Sequence, residues 1–297
     1  MNVLSLFDGI STLHLVLEKL NIKVNKYYSS EIERTSIEIT QHNFPNTIQL
    51  GDITKWKEWD IEWEKIDLVA GGSPCQSFST ANAGNKKRQN IDMGFEGKSK
   101  LFFVYLDILN YIKSKNSNVK FLLENVKMKT EWKDKITSYL KVEPILIDSE
   151  VVSPQHRQRY YWCNWQIKPI LKKKDILLKD IIIDCTSQYF LSEQHHKAFL
   201  KSYNWKHCEL NGKGKTILAT YYKQPPHTTY IPCKDSPSGF RRLTPLECEK
   251  MQTLPDNFTK YGIENGEKKL MSDTARYKAV GNGWTFEVIK HIFSNVF

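Results

Sequence analysis

Apolar positions in this chain fall into short runs separated by amphipathic stretches. Residues 3–7 read as a strand, and the next segment places Leu13, Val16, Leu17 and Leu20 on one face of a helix. A second strand at 27–30 precedes a helix around 34–42, and 47–50 is short and extended. The apolar run 66–70 ends in Gly71-Gly72, and a polar, basic, glycine-containing loop occupies 80–99. An apolar helix is predicted at about 101–112, with further strands at 120–123, 144–148 and 159–163. This alternation predicts an α/β fold, an open and mainly parallel sheet with helices on both faces. Ligands of such sheets bind beyond the carboxyl ends of the strands.

From about residue 166 to 242 the alternation stops. Only 175–183 and 217–222 look regular there, and Pro, Gly, His and Lys become frequent. A second, smaller domain is therefore expected at 166–242, with 1–165 and 243–297 forming the larger one. Thr244-Pro245-Leu246-Glu247 reads as a helix start, with Thr244 capping and Pro245 in the first turn. A last helix is expected over 284–293.

Charge sharpens the picture of the smaller segment. The chain carries a net +10, and residues 166–242 hold twelve Lys and two Arg against six Asp and Glu, a net +8. Cations clustered in this way suit a polyanion, because neutralising phosphates needs them side by side. Six cysteines are scattered without a C-x-x-C pair, so neither a zinc site nor a disulfide framework is predicted and no metal is assigned. A reducing cytoplasm fits that usage. No run approaches the roughly 18 apolar residues of a membrane span. The first residues lack a basic segment and are interrupted by Asp8, so they do not read as a signal peptide.

Three strand ends carry candidate ligand groups. Phe7-Asp8-Gly9-Ile10-Ser11 closes the first strand and opens the first helix, where free N–H groups attract an anion. Glu31 ends the second strand, where an acid can accept from ribose hydroxyls, and Asp52 ends the third, where it can receive an adenine amine. A nicotinamide dinucleotide fits poorly: the first turn has one glycine, not G-x-G-x-x-G, and Asp8 would repel a pyrophosphate. S-adenosylmethionine carries ribose, adenine and a carboxylate but no phosphate, and fits better. A fourth strand end, Gly71-Gly72-Ser73-Pro74-Cys75-Gln76-Ser77-Phe78-Ser79, lifts a cysteine onto a loop where a thiol gains the access a nucleophile needs. A fifth, Phe121-Leu122-Leu123-Glu124-Asn125-Val126, ends in a carboxylate.

Pro-Cys after one strand and Glu-Asn-Val after the next resemble the cytosine-C5 DNA methyltransferase family, in its bacterial or phage form. The motifs agree in identity and order from Val3 to about Val288, leaving out roughly 166–240. The resemblance implies a Rossmann-like, S-adenosylmethionine-dependent methyltransferase fold with a mixed sheet, plus a small target-recognition domain. It implies that Phe7, Gly9 and Ile10 hold the methionine part of S-adenosylmethionine, with Asp8 and Ser11 also counted among the cofactor-binding residues. By the same resemblance Glu31 takes the ribose, with Ile32 against the adenine and Asp52 and Ile53 completing that pocket. Cys75 is then the nucleophile and Glu124 the acid facing the base. Gln155-His156-Arg157-Gln158-Arg159 matches the Q-x-R-x-R motif, whose Arg157 and Arg159 brace the target nucleotide and the glutamate. Arg241-Arg242-Leu243-Thr244-Pro245-Leu246-Glu247-Cys248 resembles the helix that organises the recognition domain. Tyr277-Lys278-Ala279-Val280-Gly281-Asn282-Gly283-Trp284 resembles the last motif, which closes the cofactor pocket with Asn282 and Trp284. Trp284 stands where many bacterial members have a small residue, a likeness to the animal de novo methyltransferase catalytic domains.

The implied reaction suits these residue types. Carbon 5 of cytosine is too weak a nucleophile to take a methyl group unaided. A thiolate added at carbon 6 makes the ring enamine-like, and a carboxyl group at N3 and the exocyclic amine stabilises the developing charge. The base must leave the duplex stack for this, so double-stranded DNA is the implied partner and base flipping the implied mode of access. A cognate restriction endonuclease acting on the same site is a further partner that the resemblance implies. Arginine usage agrees: four of only seven Arg are Arg157, Arg159, Arg241 and Arg242, in a chain with thirty-six Lys. Rival readings are a tRNA cytosine-5 methyltransferase on the same fold, whose Cys-Phe-Thr signature is absent, and a catalytically inactive DNA-binding accessory protein, which the joint presence of Cys75, Glu124 and Arg159 disfavours. A cysteine hydrolase would need a base partner for Cys75, and no histidine motif offers one. Target sequence and oligomeric state are not assigned by the sequence.

Overall fold

Seven strands build the central sheet: β1 (Asn2–Leu6), β2 (Lys26–Ser30), β3 (Ile48–Gln49), β4 (Leu68–Gly72), β5 (Lys120–Val126), β6 (Ile145–Asp148) and β7 (Gln158–Cys163). The computed structural model describes residues 1–74, 100–168, 173–184, 186–202, 205–294 and 296. The strands lie in the order β3-β2-β1-β4-β5-β7-β6. β1 to β5 pair in parallel, whereas β7 runs antiparallel to both β5 and β6. The sheet is therefore mixed, and its order reverses between β1 and β4, the crevice where open α/β sheets bind ligands.

Burial alternates along β1, β2, β4, β5 and β7 between two apolar faces. Val3, Tyr27, Leu68, Ala70, Leu122 and Tyr161 join one cluster, and Leu4, Leu6, Tyr28, Val69, Phe121, Leu123 and Trp162 join the other. Strands covered on both sides have no polar face, which is why they stand out in the sequence as continuous apolar runs. The helices are α1 (Thr12–Lys19), α2 (Arg34–Asn43), α3 (Leu101–Lys115), α4 (Thr130–Leu140), α5 (Glu193–Leu200), α6 (Pro245–Met251), α7 (Asp273–Asn282) and α8 (Phe286–Phe293). α1, α2, α7 and α8 cover the first face, where α1 packs against α8, and α3 and α4 cover the second. Among the described residues no helix is long and apolar enough to cross a membrane.

Some elements differ from the sequence expectation. β5 continues to Val126, so Glu124 lies within the strand. α4 has little sequence signal because it buries only Ile136 and Leu140. The expected regularity at 175–183 and 217–222 reduces to short 3-10 turns, Leu178–Asp180 and Tyr221–Lys223. The helix start at Thr244 is as expected: the Thr244 hydroxyl accepts from Glu247 N while the Glu247 carboxylate accepts from Thr244 N, with Pro245 in the first turn.

Residues 166–242 carry α5 and a hairpin of β8 (Tyr230–Pro232) with β9 (Phe240–Arg242). Leu191, Phe199 and Tyr230, with Trp205 and Phe240 against them, form a small aromatic core of their own. Leu178, Ile181, Ile217, Tyr221 and Ile231 instead join the core on the sheet's first face. Part of the basic excess is also spent on this seam. Lys213 Nζ donates to the carbonyls of Glu150, Ser153 and Ile176, and burial lowers its pKa. Arg241 forms a buried two-pronged pair with Glu247, at 2.8 and 2.7 Å. Lys173, Lys179, Lys197, Lys201, Lys206, Lys223 and Lys234 remain exposed.

Candidate active site

The turn from β1 into α1 is built around an inward carboxylate. Asp8 accepts from the hydroxyls of Ser5, Ser11 and Tyr27, the last at 2.8 Å. Burial pushes its carboxyl up, and those hydroxyls pull the other way. Asp8 thus braces the turn from within, and Ser11 Oγ is also shared with Thr40 at 3.1 Å. Phe7, Gly9 and Ser11 all have positive φ, which throws the backbone outward. A Cβ on Gly9 would meet nothing within 4 Å, so there is open space above the turn, while Ile10 is buried beneath it.

His14 supports Tyr27 by stacking between it and Phe44, with centroids 4.3 and 4.2 Å away. Burial lowers the His14 pKa to about 4 from an ordinary 6.5, so the folded protein holds it neutral. In the unfolded chain it takes a proton below about 6.5, so its neutral form stabilises the fold fully above that pH and less as pH falls towards 4. Urea unfolding followed from pH 7 to 4 is expected to show a loss of at most about 3 kcal/mol from this group. His14→Phe should flatten that part of the profile, and an unchanged slope would refute the assignment.

Glu31 holds the turn from the next strand. Its Oε2 accepts from Gly9 N and its Oε1 from Ile32 N and Glu33 N, each at 2.8 Å. Beside it Ile32 is 75% exposed, an aliphatic platform left open at the strand end. Asp52 Oδ1 caps the following turn by accepting from Thr54 N and Thr54 Oγ1, both at 2.9 Å, and these bonds hold its carboxyl below the ordinary range. Asp52 is exposed, with Ile53 buried behind it. The open Gly9 turn, the Glu31 and Asp52 acids and the bare Ile32 surface fit a nucleoside joined to a carboxylate, as S-adenosylmethionine is.

Two strands from β1, Glu124 is nine-tenths buried near the end of β5, in register with Gly72 of β4. Arg159, near the start of β7, approaches it because β7 runs antiparallel: Arg159 Nε lies 3.0 Å from Glu124 Oε1. Trp284 Nε1 donates to Glu124 Oε2, also at 3.0 Å. The neighbouring Asn125 is buried and donates to Ser73 O at 3.2 Å and Ser73 Oγ at 3.0 Å. That fixes the chain two residues before Cys75, which itself lies outside the described residues, as does the 80–99 loop.

Arg157 does a different job from Arg159. Its buried guanidinium donates to the carbonyls of Ile217, Gly281 and Gly283, at 3.1, 3.4 and 2.9 Å. It ties the turn after α7 to the basic segment, which places it as a brace of backbone. Asn282 ends α7, exposed, and Trp284 follows, half-buried between that turn and Glu124. The sequence groups Trp284 with the cofactor pocket and gives no sign of its bond to Glu124. Asp148, Glu150 and His156 form the one group of converging potential metal ligands among the described residues. They are spent on their own loop: Asp148 accepts from Arg157 N at 2.8 Å, and His156 Nδ1 pairs with Glu150 at 2.7 Å.

Comparison with known proteins bears on the family and the fold. The family model described as C-5 cytosine-specific DNA methylase matches residues 1–164 and 150–297. The type II methyltransferase M1.ScrFI of Lactococcus lactis subsp. cremoris is 30% identical, over 94% of this chain and 74% of the relative. The type II methyltransferase M.MspI of Moraxella sp is 27% identical, over 99% of this chain and 69% of the relative. In fold, the chain is similar to the S. pombe Dnmt2 methyltransferase, with a TM-score of 0.71 at 15% identity, covering 99% of this chain and 97% of that one. Two family matches that together span the chain establish that it belongs to the C-5 cytosine-specific DNA methylases.

Proposed function

We propose that this protein is a DNA cytosine-5 methyltransferase of the type II restriction–modification kind, using S-adenosylmethionine and a covalent Cys75 adduct on a flipped-out cytosine. The observation that carries the reading is one juxtaposition. β4, which leads into Cys75, separates the Gly9 turn after β1 from the clamped Glu124 on β5, so cofactor and base sites adjoin at the switch point of the sheet.

Gly9, Glu31, Ile32, Asp52 and Ile53 would hold S-adenosylmethionine, with Asn282 and the rest of its turn alongside. When bound, it supplies an electrophilic methyl group. The Cys75 thiolate adds to carbon 6, and Glu124 bonds the base at N3 and the exocyclic amine, which favours addition by stabilising the charge that develops on the ring. Arg159 holds Glu124 in place. Loss of the carbon 5 proton then expels the thiolate and regenerates Cys75. Residues 166–242 serve as the target-recognition segment, their exposed lysines meeting phosphate. Cys163, Cys208, Cys233 and Cys248 are free thiols, which supports a cytoplasmic setting, and a cognate endonuclease acting on the same site is the partner this reading calls for.

Bisulfite sequencing of plasmid DNA from cells expressing the chain tests the proposal. Protected cytosines confined to one short recognition sequence are expected. Unmodified plasmid together with methylated tRNA from the same cells would overturn the DNA reading in favour of RNA.

A further inference from the structure

We propose that Trp284 is a positioning residue for the Glu124 carboxylate, an inference that rests on Glu124 being the group that faces the base. The two oxygens of Glu124 are held from two directions: Oε1 by Arg159 Nε and Oε2 by Trp284 Nε1, each at 3.0 Å. The terminal torsion of a glutamate is broad and roughly two-fold, so one donor leaves the carboxylate free to swing about that contact. A second donor on the other oxygen fixes its plane. The donors come from distant parts of the chain, 35 residues after Glu124 in one case and 160 in the other.

Position 72 is shaped to admit this arrangement. Gly72 stands opposite Glu124 in the β4–β5 register, and a Cβ there would lie 2.7 Å from Glu124 Oε2 and 3.0 Å from Trp284 Nε1. Any side chain on Gly72 would wedge into the pair.

The two donors also differ in kind, and the difference assigns the oxygens. Arg159 is a permanent cation, whereas an indole N–H is a neutral donor that cannot accept. A proton on either oxygen neutralises the carboxylate, but one on Oε2 leaves Oε1 as a carbonyl-type oxygen that still accepts from Arg159 Nε, whereas one on Oε1 would weaken the oxygen that the cation faces. Each oxygen keeps a second lone-pair direction for the substrate. Oε2 is therefore the oxygen that presents a proton to cytosine N3, and Oε1 the one that accepts from the exocyclic amine. Trp284 secures that assignment by keeping the carboxylate from turning over.

The test pairs a measurement without substrate with one of turnover. Labelling the indole nitrogens gives a resonance for each of the eight Trp, and the one lost in Trp284→Phe is that of Trp284. In the cofactor-free protein, Glu124→Gln should shift that resonance while leaving most of the others in place. Trp284→Phe keeps an aromatic ring but loses the N–H. Its kcat should fall about 10- to 100-fold with the cofactor KM within about twofold of wild type, since misplacement by an ångström has effects of that size. Gly72→Ala should reproduce the kcat loss, and the double variant should be little worse than either single one. An indole resonance blind to Glu124→Gln would overturn the proposal. A Trp284→Phe variant with normal kcat and a raised cofactor KM would do so as well, since the ring then only lines the cofactor pocket. Should Glu124→Gln retain wild-type turnover while the resonance still shifts, the functional reading of Glu124 fails and the role of Trp284 falls with it.

Discussion

Cys75→Ser is expected to lower methyl transfer by at least about 10³-fold, because an alcohol at neutral pH is a far poorer nucleophile than a thiolate. Binding to DNA should change little, since the substitution alters one atom of a group whose task is bond formation. The surroundings of the cysteine support this separation. Ser73, two residues earlier, is buried and held by Asn125, so the path of the chain up to Pro74 is fixed by contacts that the substitution does not touch. A duplex carrying 5-fluorocytosine at the target should trap a covalent adduct with the wild type and none with the serine variant, because loss of the carbon 5 substituent is needed to release the thiolate. An adduct formed by the variant, or turnover close to wild type, would rule out Cys75 as the nucleophile.

Glu124→Gln is expected to lower the rate of methyl transfer by about 10²- to 10³-fold, within the range for a positioned acid or base. Affinity for S-adenosylmethionine should stay within a fewfold of wild type. An amide keeps the size of the carboxyl group but brings an NH₂ towards Arg159 Nε or Trp284 Nε1, so one of the two clamps turns repulsive. Asp52→Ala should do the opposite: weaker cofactor binding by about tenfold, the effect of one lost hydrogen bond to a charged group, with kcat at saturating cofactor largely kept. Calorimetric titration with the cofactor, run beside steady-state kinetics, separates the two. Equal losses of cofactor affinity in both variants would contradict the division between a base site on β5 and a cofactor site on β1 to β3.

Much of this arrangement is legible in the sequence because the sheet is covered on both sides. Runs such as Leu68, Val69 and Ala70 must be apolar throughout, and the end of each strand then stands out as a polar or glycine-rich break. The start of α6 is legible for a different reason, since Thr244, Pro245 and Glu247 act within one turn of chain. The hairpin of β10 (Tyr261–Glu264) and β11 (Glu267–Leu270) also carries a local signal, missing from the sequence expectation: an Asn265-Gly266 pair with φ of 52 and 83 degrees. Roles set by topology are hidden. Glu31 reads as a ribose acid, and nothing local announces that its carboxylate also accepts from backbone N–H groups of its own turn and of Gly9. Arg157 and Arg159 sit two positions apart in one motif, and only the fold sends one to backbone carbonyls and the other to Glu124. The basic excess of residues 166–242 overstates the cations left at the surface, because Lys213 and Arg241 are turned into the body.

The packing of α1 against α8 has a consequence for how the chain is made. Leu13, Leu15, Val16 and Leu17 of α1 share one buried cluster with Val288, Ile289, Ile292 and Phe293 of α8, and the two helices pack together. The first helix thus leaves the ribosome long before its partner exists, and at 5–20 residues per second the wait is roughly 15 to 50 seconds. Throughout that interval the part of the α1 stripe that α8 covers stays open even when the sheet beneath it has been made, which makes the nascent chain a natural client for a ribosome-associated chaperone. A stop codon just before α8 would leave that part of the stripe uncovered for the life of the product, so such a truncated form should accumulate as aggregates even though every residue of the catalytic constellation up to Trp284 has been synthesised.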